Sequence, residues 1–147
     1  MALPVSVVIP TWNRAHLIER SIRSALAAME PGDELIVTDD GSTDGTEAVV
    51  AKWADRVRYL RLPHGGAGPA RNAGLRAAKH PLVSYLDSDD EWMPDILRLQ
   101  RTVMEARPDV VYVFSDFAVR DETGAEFRRY LPKWQERPRP LAEVLGP

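Results

Sequence analysis

Apolar residues along this chain fall into short runs separated by polar loops, and the runs are of two kinds. "VSVVIP" (5–10), "ELIVT" (34–38), "VRYLRL" (57–62) and "LVSYLD" (82–87) have strand length and are rich in aliphatic and β-branched residues. Continuous rather than alternating runs mark strands covered on both faces. Between them the spacing turns helical. Ile18, Ile22, Ala25, Leu26 and Met29 repeat at helical intervals, with Asn13 placed to cap that helix and "PGD" to end it. Asp44 and Glu47 have capping-box spacing for a second helix over 44–54. A third helix is expected over 68–79, and Pro94 suits the first turn of a fourth. Further on, 110–119 and 125–131 read as strands flanking "DETG", a hairpin that would add an antiparallel edge.

Strands alternating with helices imply βαβ units and a mostly parallel α/β sheet flanked by helices. The last segment, 132–147, is rich in Pro and Arg with weak periodicity, and is expected to be a tail or the start of a further region. Residues 1–131 are then one domain. No internal repeat is present.

Composition narrows the field without changing this picture. At 147 residues the chain suits a single soluble domain, and a net charge of −3 speaks against general nucleic-acid binding. The absence of cysteine excludes disulfides and thiolate metal sites and fits a reducing compartment. No apolar run approaches the ~20 residues that span a bilayer. The expectation is a cytoplasmic protein, with docking at the inner face of the membrane still admitted.

Ligands of open α/β sheets bind outside the carboxyl ends of the strands. The first strand delivers Pro10, Thr11, Trp12 and Asn13 there, and the second delivers Asp39, Asp40, Gly41 and Ser42. The third delivers His64, Gly65 and Gly66, and the fourth Asp87, Ser88, Asp89 and Asp90. Side chains two apart on an extended strand point the same way, so Asp87 and Asp89 can face one site and suit a hard divalent cation, Mg²⁺ or Mn²⁺, that in turn binds a diphosphate. The competing account is a solvated acidic turn near a helix start. Asp39 or Asp40 could accept from a base N–H or a ribose hydroxyl. "HGGAGPARNAG" is glycine-rich, yet Arg71 stands where a dinucleotide fingerprint needs its third glycine. Arg71 is therefore available for a phosphate, or for a structural pair with a nearby aspartate. His64 reads as an ordinary loop residue, and Trp12 either stacks on a ring or closes the first helix.

Four stretches in register, "VSVVIPTWNR" (5–14), "ELIVTDDGSTDGT" (34–46), "GPARNAGLRAA" (68–78) and "YLDSDDEWMPD" (85–95), resemble the nucleotide-binding half of family 2 glycosyltransferases with the GT-A fold. The resemblance covers residues 4–118. It implies transfer of a sugar, with inversion, from a nucleoside-diphosphate sugar, most simply a uridine one, to a hydroxyl acceptor on a glycan, lipid or other molecule. By position, Pro10 and Thr11 would contact base or ribose, with Asn13 beside them, and Asp40 would hydrogen-bond the base. Asp87 would lie near ribose and diphosphate, Asp89 would ligate the metal, and Asp39 and Arg71 would support. The resemblance also implies a catalytic carboxylate far downstream. Beyond Asp109 the acids are Asp116, Asp121, Glu122, Glu126, Glu136 and Glu143, and none stands in the family's base motif. The expectation is the donor half of a longer enzyme with an incomplete carboxyl-terminal half, its catalytic base unassigned.

Two rival accounts belong to other classes. A non-catalytic nucleotide-sugar binding module would bind UDP without transfer. A nucleotidyltransferase would want a glycine-rich loop after the first strand, and "PTWNRAH" has no glycine. Oligomeric state is left open, with pairing between chains at a free sheet edge admitted.

Overall fold

The computed structural model describes residues 3–121, 123 and 126–129. Two compact units divide at Arg98 and Leu99. The first holds β1 (Val5–Thr11), α1 (Ile18–Ala28), β2 (Glu34–Asp39), α2 (Thr46–Ala51), β3 (Val57–Arg61), α3 (Ala67–Ala77) and β4 (Leu82–Tyr85). Helix α4 (Ile96–Ala106) begins in this unit, and the second unit adds β5 (Ala118–Arg120) and β6 (Glu126–Arg129). Among the described residues no helix is long and apolar enough to cross a membrane. The boundary expected at 131 lies outside the described residues.

The four strands of the first unit pair in parallel in the order β3-β2-β1-β4. Strand β1 is buried along its whole length, as its unbroken apolar run requires. Val5, Val7 and Ile9 pack with Ile18, Ile22 and Ala25 of α1 in the main core. Val8 meets Gly74 of α3 on the other face, where an added β-carbon would overlap the valine side chain. Helices thus cover both sides. The chain runs outward from β1 through β2 to β3, then returns to place β4 on the far side of β1. This reversal opens a crevice at the carboxyl ends of β1 and β4.

Several local expectations are corrected. Asn13 does not cap α1, which starts at Ile18 with Leu17 before it. Instead Asn13 adopts a left-handed backbone (φ 52°) and stitches two loops together. Its N–H donates to Ser42 Oγ (2.9 Å), and its side-chain oxygen accepts from Thr43 N–H (2.8 Å). Helix α2 is shorter than 44–54 and makes no capping box. Asp44 accepts from the N–H groups of Thr46 and Ala15, while Glu47 turns to the opposite charge of Arg61. Pro94 lies just before α4 rather than in its first turn.

The fourth strand also stops early. It ends at Tyr85, paired with Val8, whereas β1 continues to Thr11. Asp87 to Asp90 therefore form a turn closed by Asp90 N–H to the Asp87 carbonyl (3.0 Å). Asp87 and Asp89 are half exposed there and each has an arginine beside it, which eases their mutual repulsion. In the second unit, residues 111–117 belong to no regular element, with Val111, Tyr112 and Phe114 exposed. The hairpin pairing exists, but β5 and β6 form a two-stranded sheet of their own, not an edge of the parallel one.

Candidate functional site

A cavity of about 450 Å³ opens at the crevice between β1 and β4. The end of β1 supplies Pro10, Thr11, Trp12 and Arg14 to its wall. Asp40 follows β2, and the segment around the start of α3 supplies His64, Gly66 and Arg71. The turn after β4 adds Asp87, Ser88 and Asp89. Thr11 is 4% exposed, and its hydroxyl has no hydrogen-bond partner among the described residues. Trp12 presents nearly half its surface to solvent.

Asp40 organises one end. Its backbone N–H donates to the Thr11 carbonyl (2.9 Å), continuing the β1–β2 ladder past the strand ends. One carboxylate oxygen accepts from Gly65 N–H and the other from Gly66 N–H, both at 2.8 Å. His64 Nδ1 stands 2.8 Å from the second oxygen and 3.1 Å from the Asp40 carbonyl. Both neighbours are acceptors, so Nδ1 carries the hydrogen. Burial of Asp40 pulls its carboxyl pKa upward, but the two glycine N–H groups and the His64 ring outweigh it and hold the value below the ordinary one. The loop needs glycine at two places. Gly66 takes φ 96°, and Gly41, at φ 74°, leaves no room for a β-carbon beside His64 N and the Leu62 carbonyl. The His64 ring stacks on Trp12 with centroids 4.8 Å apart, forming an aromatic wall.

The other end is acidic. Arg71 Nη2 lies 2.5 Å from Asp87 Oδ1, and Arg14 Nε lies 3.8 Å from Asp89 Oδ2. Helix α1 fixes the acidic turn from behind: Ser21 Oγ donates to the Asp90 carbonyl (2.7 Å), and Trp92 N–H donates to Ser24 Oγ (3.1 Å). Asp90 is not part of the cavity wall. Its burial, then the charges of Asp89 and Asp87, push its pKa up. Among the described residues no three His, Cys, Asp or Glu side chains cluster to cage a metal. Two half-exposed carboxylates on an open cavity nonetheless suit an ion of the Mg²⁺ or Mn²⁺ kind. Such ions take one or two protein carboxylates and leave their other positions to water and phosphate oxygens.

A family model described as glycosyl transferase family 2 matches residues 6–145. The chain belongs to this family. It is 32% identical over 131 residues to the Bacillus subtilis glycosyltransferase TuaG, provisionally assigned to teichuronic acid biosynthesis, covering 86% of this chain and 52% of TuaG. It is likewise 32% identical to the Escherichia coli UDP-Glc:α-D-GlcNAc-diphosphoundecaprenol β-1,3-glucosyltransferase WfgD, over 78% of this chain and 46% of that one. Among solved structures, S. aureus TarS 1–349 in complex with UDP-GlcNAc superposes with a TM-score of 0.67 at 28% identity, covering 72% of this chain and 32% of TarS. The mannosyltransferase PcManGT from Pyrobaculum calidifontis, in complex with GDP-Man and Mn²⁺, gives 0.63 at 30% identity, covering 69% and 32%. The chain thus spans about half or less of each of these proteins. Its parallel sheet and flanking helices are those of the GT-A fold.

Of the residues that the family motifs single out, Pro10, Thr11, Asp40, Arg71, Asp87 and Asp89 meet at the one cavity. Asn13 and Asp39 do not line it. The Asp39 carboxylate is fully buried and accepts from Ser42 N–H (2.8 Å) and from the Tyr59 hydroxyl. It supports the loop behind the wall. Asp87 and Asp89 come together because a turn folds them there; the extended-strand spacing invoked for them does not apply. Three more residues of the wall take their place only from the structure: His64, by sequence an ordinary loop position, Trp12, for which the sequence admits two roles, and Arg14. Only the aromatic residue directly after Pro10 and Thr11 offered a signal.

Proposed function

We propose that this chain, chiefly residues 1–131, is the donor-binding part of an enzyme that moves a sugar from a uridine-diphosphate sugar to an acceptor hydroxyl. One observation carries this: two neighbouring strand ends and the turn after β4 deliver an aromatic wall, a buried carboxylate and an acid pair to one cavity. Those three features match the three parts of a nucleoside diphosphate bound with a cation.

At one end, Pro10 and Trp12 flank the base, and Asp40 accepts from its ring N–H. Both Asp40 oxygens already hold glycine N–H groups, yet a carboxylate has about four acceptor sites and can take one more donor. The unpartnered Thr11 hydroxyl serves base or ribose. At the other end Asp89, with Asp87 beside it, holds Mn²⁺ or Mg²⁺. When bound, the ion supplies Lewis-acid stabilisation of the charge on the departing diphosphate. The protein's own part is to hold the base, turn the diphosphate toward the acid pair, and leave the anomeric carbon open on its far face. Attack from that face inverts the centre. The base that takes the acceptor's proton is assigned to no residue of this chain.

WfgD uses UDP-Glc, TarS was solved with UDP-GlcNAc and PcManGT with Mn²⁺, which supports a nucleotide-sugar donor and a divalent ion here. Titration calorimetry with UDP and Mn²⁺ tests the site. Asp89→Ala is expected to weaken UDP binding at least about ten-fold, the scale of one lost charge-assisted contact. Unchanged affinity in the presence of Mn²⁺ refutes the assignment. Transfer or donor hydrolysis by the full gene product separates an enzyme from a binding module.

A further inference from the structure

The two ends of the cavity are chemically unlike, and the acidic end has a property that its acids alone do not explain. Each carboxylate there already has a cation from its own chain. Arg71 Nη2 is 2.5 Å from Asp87, and Arg14 Nε is 3.8 Å from Asp89. All four side chains line the same cavity. The arginines come from different elements: Arg14 follows β1, and Arg71 lies within α3. Both backbones are fixed independently of the acids. Arg14 N–H donates to Thr46 Oγ1 (3.0 Å), and its carbonyl accepts from Leu17 and Ile18 N–H at the start of α1. Arg71 lies one turn before Gly74, where α3 sits tight against Val8.

We propose that Arg14 and Arg71 are positioning residues that exchange partners on ligand binding. This rests on the reading that the cavity takes a nucleoside diphosphate with a divalent ion. Without ligands the guanidinium groups neutralise Asp89 and Asp87. With ligands the ion takes the carboxylates and the guanidinium groups take the diphosphate oxygens.

Charge balance drives the exchange. Two acids against two arginines are neutral. A divalent ion alone would leave the site with two excess positive charges and displaced arginines. A diphosphate alone would bring two or three negative charges to arginines already engaged. Together they nearly cancel, and every charged group keeps a partner of opposite sign. Side chains in the two pairs are 40% to 51% exposed, and pairs so exposed hold weakly enough to be replaced. Arginine's planar fork suits either partner, a carboxylate or a phosphate. The exchange therefore makes ion and diphosphate bind interdependently, each raising the other's affinity by one factor.

The experiment measures binding, not turnover. Mn²⁺ affinity is read by electron paramagnetic resonance with and without UDP, and UDP affinity by calorimetry with and without Mn²⁺. The proteins are wild type, Arg14→Gln, Arg71→Gln and Arg71→Lys. In wild type each ligand should tighten the other about ten-fold or more, within the usual range of coupling between sites. Each glutamine variant should bind Mn²⁺ alone about three-fold more tightly, because a freed carboxylate faces the ion, and should bind UDP with Mn²⁺ about ten-fold more weakly. Arg71→Lys should restore much of the wild-type resistance to Mn²⁺ alone. The opposite signs are diagnostic, because a merely structural role would weaken both. Weakening of both, or Mn²⁺ binding unchanged in both glutamine variants, overturns the exchange. Should wild type bind no UDP even with Mn²⁺, the proposed function fails, and the Mn²⁺-only comparison still decides whether the arginines oppose the ion.

Discussion

Asp40→Asn removes one charge and almost no volume, and it tests how the cavity is built. The native carboxylate, 3% exposed, accepts from Gly65 and Gly66 through different oxygens and from His64 Nδ1–H. The amide keeps one oxygen and turns an NH₂ group toward a donor that it cannot satisfy. Hydrogen bonds to a charged acceptor contribute roughly 1.5–3 kcal/mol each, and at least one is lost, so the variant should be about 2–3 kcal/mol less stable. For a domain of this size that is a fall in Tm of roughly 10 °C. The pH dependence supplies a second, independent readout. Because the folded carboxyl sits below its ordinary pKa of about 3.9, its contribution is fully present above that value and is lost as pH falls toward the folded one. The asparagine variant lacks this contribution at every pH. Urea unfolding of both proteins between pH 7 and 3 should therefore show a gap that is constant above pH ~5 and narrows below ~4. A gap under about 0.5 kcal/mol at pH 7, or one that does not narrow in acid, refutes the claim that this carboxylate holds the loop.

Two further substitutions separate packing from recognition. In Gly74→Ala the new β-carbon would overlap the Val8 side chain and lie 3.2 Å from its Cβ, which no rotamer change relieves. Overpacking of about 1–3 kcal/mol outweighs the ~1 kcal/mol gained in helix propensity, so chemical denaturation should show a net loss near 1 kcal/mol. UDP binding should weaken as well, since a shifted α3 carries Arg71 with it; a stabilised variant with intact UDP affinity contradicts this. Trp12→Ala removes a side chain that is 47% exposed and outside the main core but stacked on His64, so stability should fall by about 0.5–1.5 kcal/mol, the scale of one aromatic pair. UDP affinity should fall about ten-fold, the scale of one lost base–aromatic stack, and unchanged affinity would exclude Trp12 from the base end.

Periodicity and composition were enough to read the alternation of strands and helices, and hence the parallel sheet. A fully buried strand such as Val5–Thr11 must be apolar throughout, and a helix packed on one side must repeat its apolar residues at helical spacing. Glycine positions were legible for the same local reason. Strand ends are where such open sheets bind ligands, so Pro10, Thr11, Asp40, Asp87 and Asp89 were also within reach of the sequence alone. Tertiary structure decided everything that depends on register and on which charges meet. Whether β4 runs to Asp87 or stops at Tyr85 follows from its pairing with β1, and that pairing turned an extended acid pair into a folded one. Asp39 and Asp40 are neighbours with equal chemistry, yet one is taken up behind the wall by Tyr59 and the other faces the cavity. His64 and Trp12, or Arg14 and Asp89, lie far apart in the chain and meet only because separate strands end on the same side of the sheet. Local patterns specify an element from its own residues; a site assembled across elements exists only once the packing has fixed where each one ends.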